Sequence, residues 1–218
     1  MSLKNFIRAK KDKKKVVNEI VDIIKNGSSL NQKTIRKNGE VSFDEAFSYL
    51  LDIGSMSCSS GDLSVFSHFI ESLFDVLNEI DGDKRSKLIE AVYNFGFMFA
   101  HAHNAYYYDA ILRSLERGVT ELYGPDEVRA YLEILKMLSI NSLREGFEAG
   151  VQKALTIIRG LNGHFVERGQ EISNLYLKSV LIHILSKVDE LKLKDLKYAI
   201  LNEAGDIIRF NSHNLKPT

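Results

Sequence analysis

The sequence predicts an all-α protein, and three observations lead to that fold class. Only two of the 218 residues are proline, so almost nothing interrupts a helix. Apolar residues recur at the i, i+3, i+4, i+7 spacing of amphipathic helices, for example over residues 66–77. Helix start signals recur along the chain, and the patterns predict about eight or nine helices joined by short polar turns. No segment makes a convincing strand, although residues 33–41 could hold a small irregular excursion.

The helix starts are predicted in chain order from capping residues. The opening helix, over residues 13–25, has only Asp12 as a start cap, and Ser42 to Glu45 form a capping box. Pro125 follows Gly124 at the first position of a later helix, where its missing N–H is not needed. The remaining predicted start caps are Asp62, Asp83 and Asp195. The predicted stops are Asn26-Gly27, Gly82, and the pair Gly160 and Gly163.

Internal similarity indicates a repeat. Residues 53–73, shifted by 42 positions, lie over residues 95–115, so that Gly54 meets Gly96. A further shift of 43 positions places Gly146 where Gly61 lies in the first copy, and a fourth, looser copy follows. Each unit is a helix, a short polar turn, and a second helix with an apolar stripe. The sequence therefore predicts stacked antiparallel helix pairs, about four in number, in which helix glycines allow close packing.

This pattern resembles the HEAT/armadillo-type α-solenoids, whose two- or three-helix repeats are about 40–47 residues long. The resemblance covers residues 42–210. It implies a curved surface of stacked helices that binds partners, and it implies no catalytic residues. A compact multi-helix bundle is the alternative architecture. The predicted division is a basic N-terminal helix and polar linker (1–40), a helical-repeat domain (41–210) and a tail (211–218).

Charge is unevenly distributed, although the formal net charge is zero. Residues 1–40 contain 11 Lys or Arg and 4 Asp or Glu, whereas residues 41–83 contain nine acids and no Lys or Arg. The residues predicted to bind an anionic surface are Lys10, Lys11, Lys13, Lys14 and Lys15. An apolar stripe, 16–24, follows them, and a basic amphipathic helix can lie on an anionic membrane. A solvated helix end, or a contact with the chain's own acidic segment, remains open. Nucleic acid is disfavoured, because no aromatic residues are interleaved with the lysines.

The segment FAHAHNAYYYD, residues 99–109, is the most chemically varied part of the chain. One interpretation is a metal-dependent hydrolase that uses His101, His103 and Asp109. However, residues two apart on a helix project about 200° from each other, and zinc-binding helices place histidines at i and i+4. The repeat places both histidines at the turn between paired helices, which favours a role in capping helix ends.

The same segment predicts a partner-binding surface. The repeat places Tyr106, Tyr107 and Tyr108 at the start of the second helix, where three consecutive side chains span about 200° of arc. Core packing accounts for one or two of them. Exposed tyrosines anchor interfaces well, so we expect these tyrosines, with His101 and His103, to bind another protein or a second copy of the chain as a homodimer.

No phosphate-binding loop, dinucleotide motif, nucleophile elbow or zinc-protease helix occurs. The sequence therefore predicts an interaction or scaffold module with neither enzymatic activity nor a cofactor. A single cysteine, Cys58, is typical of a protein in a reducing compartment. The sequence contains no run of 18 apolar residues, so no membrane span is predicted. We expect a cytoplasmic protein, or the cytoplasmic part of a larger, membrane-associated one.

Overall fold

The computed structural model describes residues 12–26, 42–80, 82–194, 196–198, 200–202 and 205. These residues are almost entirely helical and contain no strand, which confirms the all-α class. The helices, in chain order, are α1 (Lys13–Asn26), α2 (Phe43–Ser59), α3 (Leu63–Leu77), α4 (Gly82–His101), α5 (Ala105–Glu121), α6 (Pro125–Arg144), α7 (Glu148–Glu167) and α8 (Glu171–Glu190). Residues 194, 196–198 and 200–202 are also helical.

The predicted start caps Asp12, Ser42 and Asp62 are confirmed, whereas Asp83 lies within the first turn of α4, one residue after its start at Gly82. The Ser42 hydroxyl accepts the Glu45 N–H at 3.1 Å, and the Asp62 carboxylate accepts the Val65 N–H at 3.1 Å. Asp12 accepts the Lys15 N–H at the start of α1. Pro125 opens α6. The predicted cap Asp195 and the irregular excursion at 33–41 lie outside the described residues.

The predicted stop at Gly160 and Gly163 is wrong, because α7 continues through both residues to Glu167. A glycine inside a helix costs about 1 kcal/mol relative to alanine. Leu161 and Phe165 are fully buried on the same helix, and their burial outweighs that penalty. The predicted stop at Gly82 is also wrong, since α4 begins there.

Tight turns of one kind recur at the helix ends. In each, one residue has a positive φ, and the two hydrogen bonds of a Schellman motif close the turn. After α4, for example, the His103 N–H donates to Ala100 and the Asn104 N–H donates to Phe99. The positive-φ residues of these turns are Gly61, His103, Gly146, Gly169 and Lys192. The predicted turn positions near 61, 103 and 146, separated by 42 and 43 residues, are therefore confirmed.

The chain divides into two compact units, residues 1–92 and 93–218, with the boundary inside α4. In the first unit, α1 packs against α2 and α3, and α2 packs against α3. The apolar stripe of α1 is buried there; Val17 and Ile20, for example, are at most 1% exposed. This stripe joins α1 to the two helices that follow, and the predicted division at residue 40 stays a prediction.

In the second unit, helices pack both on their sequence neighbours and on the helix two positions along. α5 contacts α6 and α7, and α6 contacts α7 and α8. A Cβ at Gly96 of α4 would overlap Leu138 of α6. In the first unit, a Cβ at Gly54 would likewise overlap Phe69. These overlaps confirm that both glycines allow close helix packing. Over the described residues, no helix combines the length and apolarity needed to cross a bilayer.

Candidate functional site

The five predicted partner-binding residues lie in or beside the turn at residues 102–104, and His103 belongs to the turn itself. His101 is the last residue of α4, and the three tyrosines lie in the first turn of α5. Asn104 is the N-cap of α5, and its side-chain oxygen accepts the Tyr107 N–H at 3.4 Å. The turn therefore separates His101, which ends one helix, from the tyrosines, which begin the next.

Tyr108 is a core residue. Its side chain is fully buried, its hydroxyl donates to the Leu138 carbonyl at 2.8 Å, and it accepts from the Ser142 hydroxyl at 2.7 Å. Burial raises the pKa of the Tyr108 phenol far above its ordinary value, and the Ser142 hydrogen bond opposes that rise only in part. The neutral hydroxyl thus joins α5 to α6 and is removed from the predicted partner-binding set.

Tyr107 is also buried, at 8% exposed, and its ring stacks on Phe99 with centroids 4.9 Å apart. The prediction that Tyr107 and Tyr108 present a surface is therefore corrected, because both rings fill the core. Tyr106 is 77% exposed. It is the tyrosine of the three that can contact a partner.

His103 holds two turns together. Its Nε2 lies 2.9 Å from the Glu145 carbonyl oxygen, and its ring stacks on Phe147 with centroids 5.3 Å apart. A carbonyl only accepts hydrogen bonds, so Nε2 carries the proton. Glu145 is the C-cap of α6. The prediction that a turn histidine caps a helix end is confirmed here.

His101 binds the same residue through its side chain. Its Nδ1 lies 2.8 Å from a Glu145 carboxylate oxygen, and its ring stacks on Phe97, which is 43% exposed. The His101 side chain itself is 72% exposed. Two histidines of one turn therefore contact Glu145 of the next turn. The sequence analysis did not identify Glu145, although the 43-residue shift places it opposite the pair.

The Asp109 carboxylate is paired with two cations. Its two carboxylate oxygens bind Lys153 of α7 and Arg113 of α5, both at 2.8 Å. Burial raises the pKa of Asp109, but the hydrogen bonds and charges of Lys153 and Arg113 outweigh burial and lower it overall. The set His101, His103 and Asp109 is not assembled. Within the part of the chain that the structure describes, no three His, Cys, Asp or Glu residues form a group that could hold a metal ion.

The predicted anionic-surface residues are described in part. Lys14 and Lys15 are exposed on α1, and Lys13 is half-buried. Lys10 and Lys11 lie outside the described residues. Because the apolar stripe of α1 is buried against α2 and α3, this stripe is not available to insert into a bilayer.

A second candidate surface lies on α8. Ile172, Leu175 and Ile182 are 55%, 62% and 64% exposed, and with the exposed Ser179 they fall within about 80° of the helix arc. The opposite side of α8 is buried, for example at Leu181 and Ile184. The helix is therefore apolar on two opposite sides. The sequence analysis missed this surface, although apolar residues on both sides of the 171–190 helical wheel were the available signal.

Comparison of the chain with protein-family models and with curated proteins gives no match.

Proposed function

We propose that this protein is a protein-interaction module whose principal contact surface is the exposed apolar side of α8. The exposure of Ile172, Leu175 and Ile182 on one side of that helix is the observation that carries the proposal. A helix that packs through one apolar side and leaves a second uncovered is typical of a surface that binds another protein.

The architecture that we propose for this module is an array of stacked helix pairs similar to HEAT-type repeats. The recurring Schellman turns support it. So does the packing within residues 93–218 of α5 on α7 and of α6 on α8, because paired-helix arrays pack each helix on its counterpart in the next pair. In such an array the outer side of α8 is where a further helix would stack.

The partner that we propose is a second copy of the chain. Ser179 lies near the centre of the exposed stripe, so a two-fold axis at this small residue would lay two α8 helices antiparallel. Leu175 of one copy would then lie beside His183 of the other, and Tyr176 beside Ile182. An antiparallel pair also sets the helix dipoles in opposite directions, which is favourable, and two-fold dimers are the commonest oligomers.

Light scattering after size-exclusion chromatography tests this proposal. We expect a mass of twice 24.7 kDa for the unchanged chain. The double substitution Leu175→Lys and Ile182→Lys should give the monomer mass, because two ammonium groups would face the apolar stripe of the other copy.

Met56→Lys is the matched control, since Met56 is a 49% exposed apolar residue of α2 and its substitution should leave the dimer intact. A monomer mass for the unchanged chain over the micromolar range would refute the proposal. Equal dissociation by the control would refute the assignment to α8.

A contact between the N-terminal lysines and an anionic membrane is a second proposal. With the apolar stripe of α1 buried, such a contact would depend on charge alone, through Lys14 and Lys15 among others. Co-sedimentation with phosphatidylserine vesicles that disappears at about 0.5 M salt is the expected outcome. Binding that persists at high salt would contradict a purely electrostatic contact.

A further inference from the structure

Three Schellman turns of the second unit lie near one another in succession. They are the α4–α5 turn at 99–104, the α6–α7 turn at 142–147, and the turn after α8 at 188–193. Side chains of the first turn touch the second, as His103 touches Glu145 and Phe147. Residues of the second and third turns line a common cavity. Two spaces can therefore be compared, one between the first and second turns and one between the second and third.

The first space is filled by a side chain of the protein. His103 has a φ of +51°, a left-handed conformation that costs a non-glycine residue about 1–2 kcal/mol. From this position its ring reaches the next turn, where it stacks on Phe147 and donates to the Glu145 carbonyl. The first space thus holds a planar ring with a polar edge.

The second space has no such side chain, because Gly146 stands at the position of His103. Gly146 has a φ of +64°, and a Cβ built on it would have no neighbour within 4 Å. The space is a cavity of about 390 Å³, within the range of small-molecule sites. An apolar cavity of about 150 Å³ is enough for one benzene ring in another protein, so this cavity can take a ring together with a substituent.

The lining of the cavity indicates what that substituent is. Four apolar residues line it: Leu143, Val151, Leu193 and Leu196. Its charged lining residues are Lys192, Lys194 and Glu148, so cations outnumber anions at its edge. The lining combines an apolar surface for a ring with ammonium groups for an acid.

We propose that the cavity between the 142–147 and 188–193 turns is a binding site for a small aromatic carboxylate. The ring occupies the space that corresponds to that of the His103 imidazole, and the carboxylate pairs with Lys192 and Lys194. This site is separate from the outer side of α8, so its existence does not depend on the proposed dimer.

Phenylacetate is a suitable probe, because it joins one ring to one carboxylate. We expect a titration of the full-length, isotope-labelled chain, followed by two-dimensional NMR, to give saturable shifts of amides at 142–151 and 192–194. About millimolar affinity is what ten non-hydrogen atoms can supply. Phenylacetamide lacks the charge and acetate lacks the ring, and each should bind at least about fivefold more weakly. Equal binding by phenylacetamide would overturn the assignment of the carboxylate to the lysines.

Gly146→His tests the space itself, because it copies the His103 arrangement and should weaken phenylacetate binding at least about tenfold. Gly169→His is the matched control. Gly169 also has a positive φ (+66°) and no neighbour within 4 Å, but it lies in the α7–α8 turn, so binding should change less than about twofold. If Gly146→His does not fold, Lys192→Gln with Lys194→Gln replaces it and should also weaken binding. Absence of saturable binding to the unchanged chain, or binding unaffected by the cavity variants, would overturn the proposal.

Discussion

Helices α1 and α8 bury their apolar residues in contrasting ways. In α1 the apolar residues lie on one side, and that side is buried in the first unit while Lys14 and Lys15 face outward. In α8 apolar residues lie on two opposite sides, and only one is buried. The helix with the clearer amphipathic pattern is the one whose apolar side is fully covered. An apolar stripe therefore indicates burial, and an interaction surface is indicated by apolar residues left over after the packing side has been accounted for.

Substitution of a buried residue of α1 gives the largest expected effect. Ile20 is 1% exposed, so Ile20→Asp places a carboxylate in an apolar core. It should lower the free energy of unfolding by about 4 kcal/mol or more, measured by urea denaturation. Ile182→Asp, on the outer side of α8, should change the free energy of unfolding of the monomer by less than about 0.5 kcal/mol, when it is measured at dilute concentration. A comparable loss of unfolding free energy in both variants would contradict the difference in burial between the two helices.

Two neighbouring tyrosines of α5 allow a buried and an exposed residue of one helix to be compared. Tyr108→Phe removes the hydroxyl that bonds Leu138 and Ser142, and it should lower the free energy of unfolding by about 1–3 kcal/mol because both partners stay buried. Tyr106→Phe should have almost no effect, because that ring is 77% exposed. Thermal unfolding of both variants is the measurement. An unchanged midpoint for Tyr108→Phe would contradict the assigned hydrogen bonds.

The ion pairs of Asp109 give the smallest expected effect. Because the pKa of Asp109 is lowered below its ordinary value of 3.8 in the folded chain, its ionised form stabilises the fold. That contribution is present above pH 3.8 and is lost as pH falls through the lower, folded pKa. Asp109→Asn should therefore lower stability at pH 7 by under about 1 kcal/mol, and should make stability less dependent on pH below about 4.

Urea denaturation at pH 7 and pH 3 checks this expectation for Asp109. Glu121→Gln, at the end of the same helix, is the control for loss of a carboxylate that is not paired with Lys153. An equal pH dependence in the unchanged chain and in Asp109→Asn would contradict the assignment.

Local signals in the sequence predicted the helix starts well. Ser42, Asp62 and Pro125 act within one helical turn, so their caps depend on neighbouring residues alone. The turn at residues 102–104 was predicted by alignment with the glycine-containing turn at 61, because both use the same left-handed position. The stop predicted at Gly160 and Gly163 was wrong, because burial of Leu161 and Phe165 outweighs the local tendency of glycine to break a helix.

The candidate sites depended on contacts that the sequence does not determine. Tyr106, Tyr107 and Tyr108 differ by only 100° per residue, and which of them is exposed depends on where α4 and α6 lie. Of the two partners of Asp109, Arg113 is four residues away on the same helix, but Lys153 lies 44 residues away. The outer side of α8 is apolar in the sequence, but only the packing of α6 against the other side shows that it is uncovered.

The adjacent residues Tyr108 and Asp109 attach α5 to two different helices, since Tyr108 bonds α6 and Asp109 bonds Lys153 of α7. α5 cannot move away from one of these helices without disturbing its bond to the other. In terms of amide hydrogen exchange, the most protected amides of α5, α6 and α7 should therefore belong to one cooperative opening unit. The exchange rates of these amides should change together in the Tyr108→Phe variant, whereas the exchange rates of the α1 amides should stay unchanged.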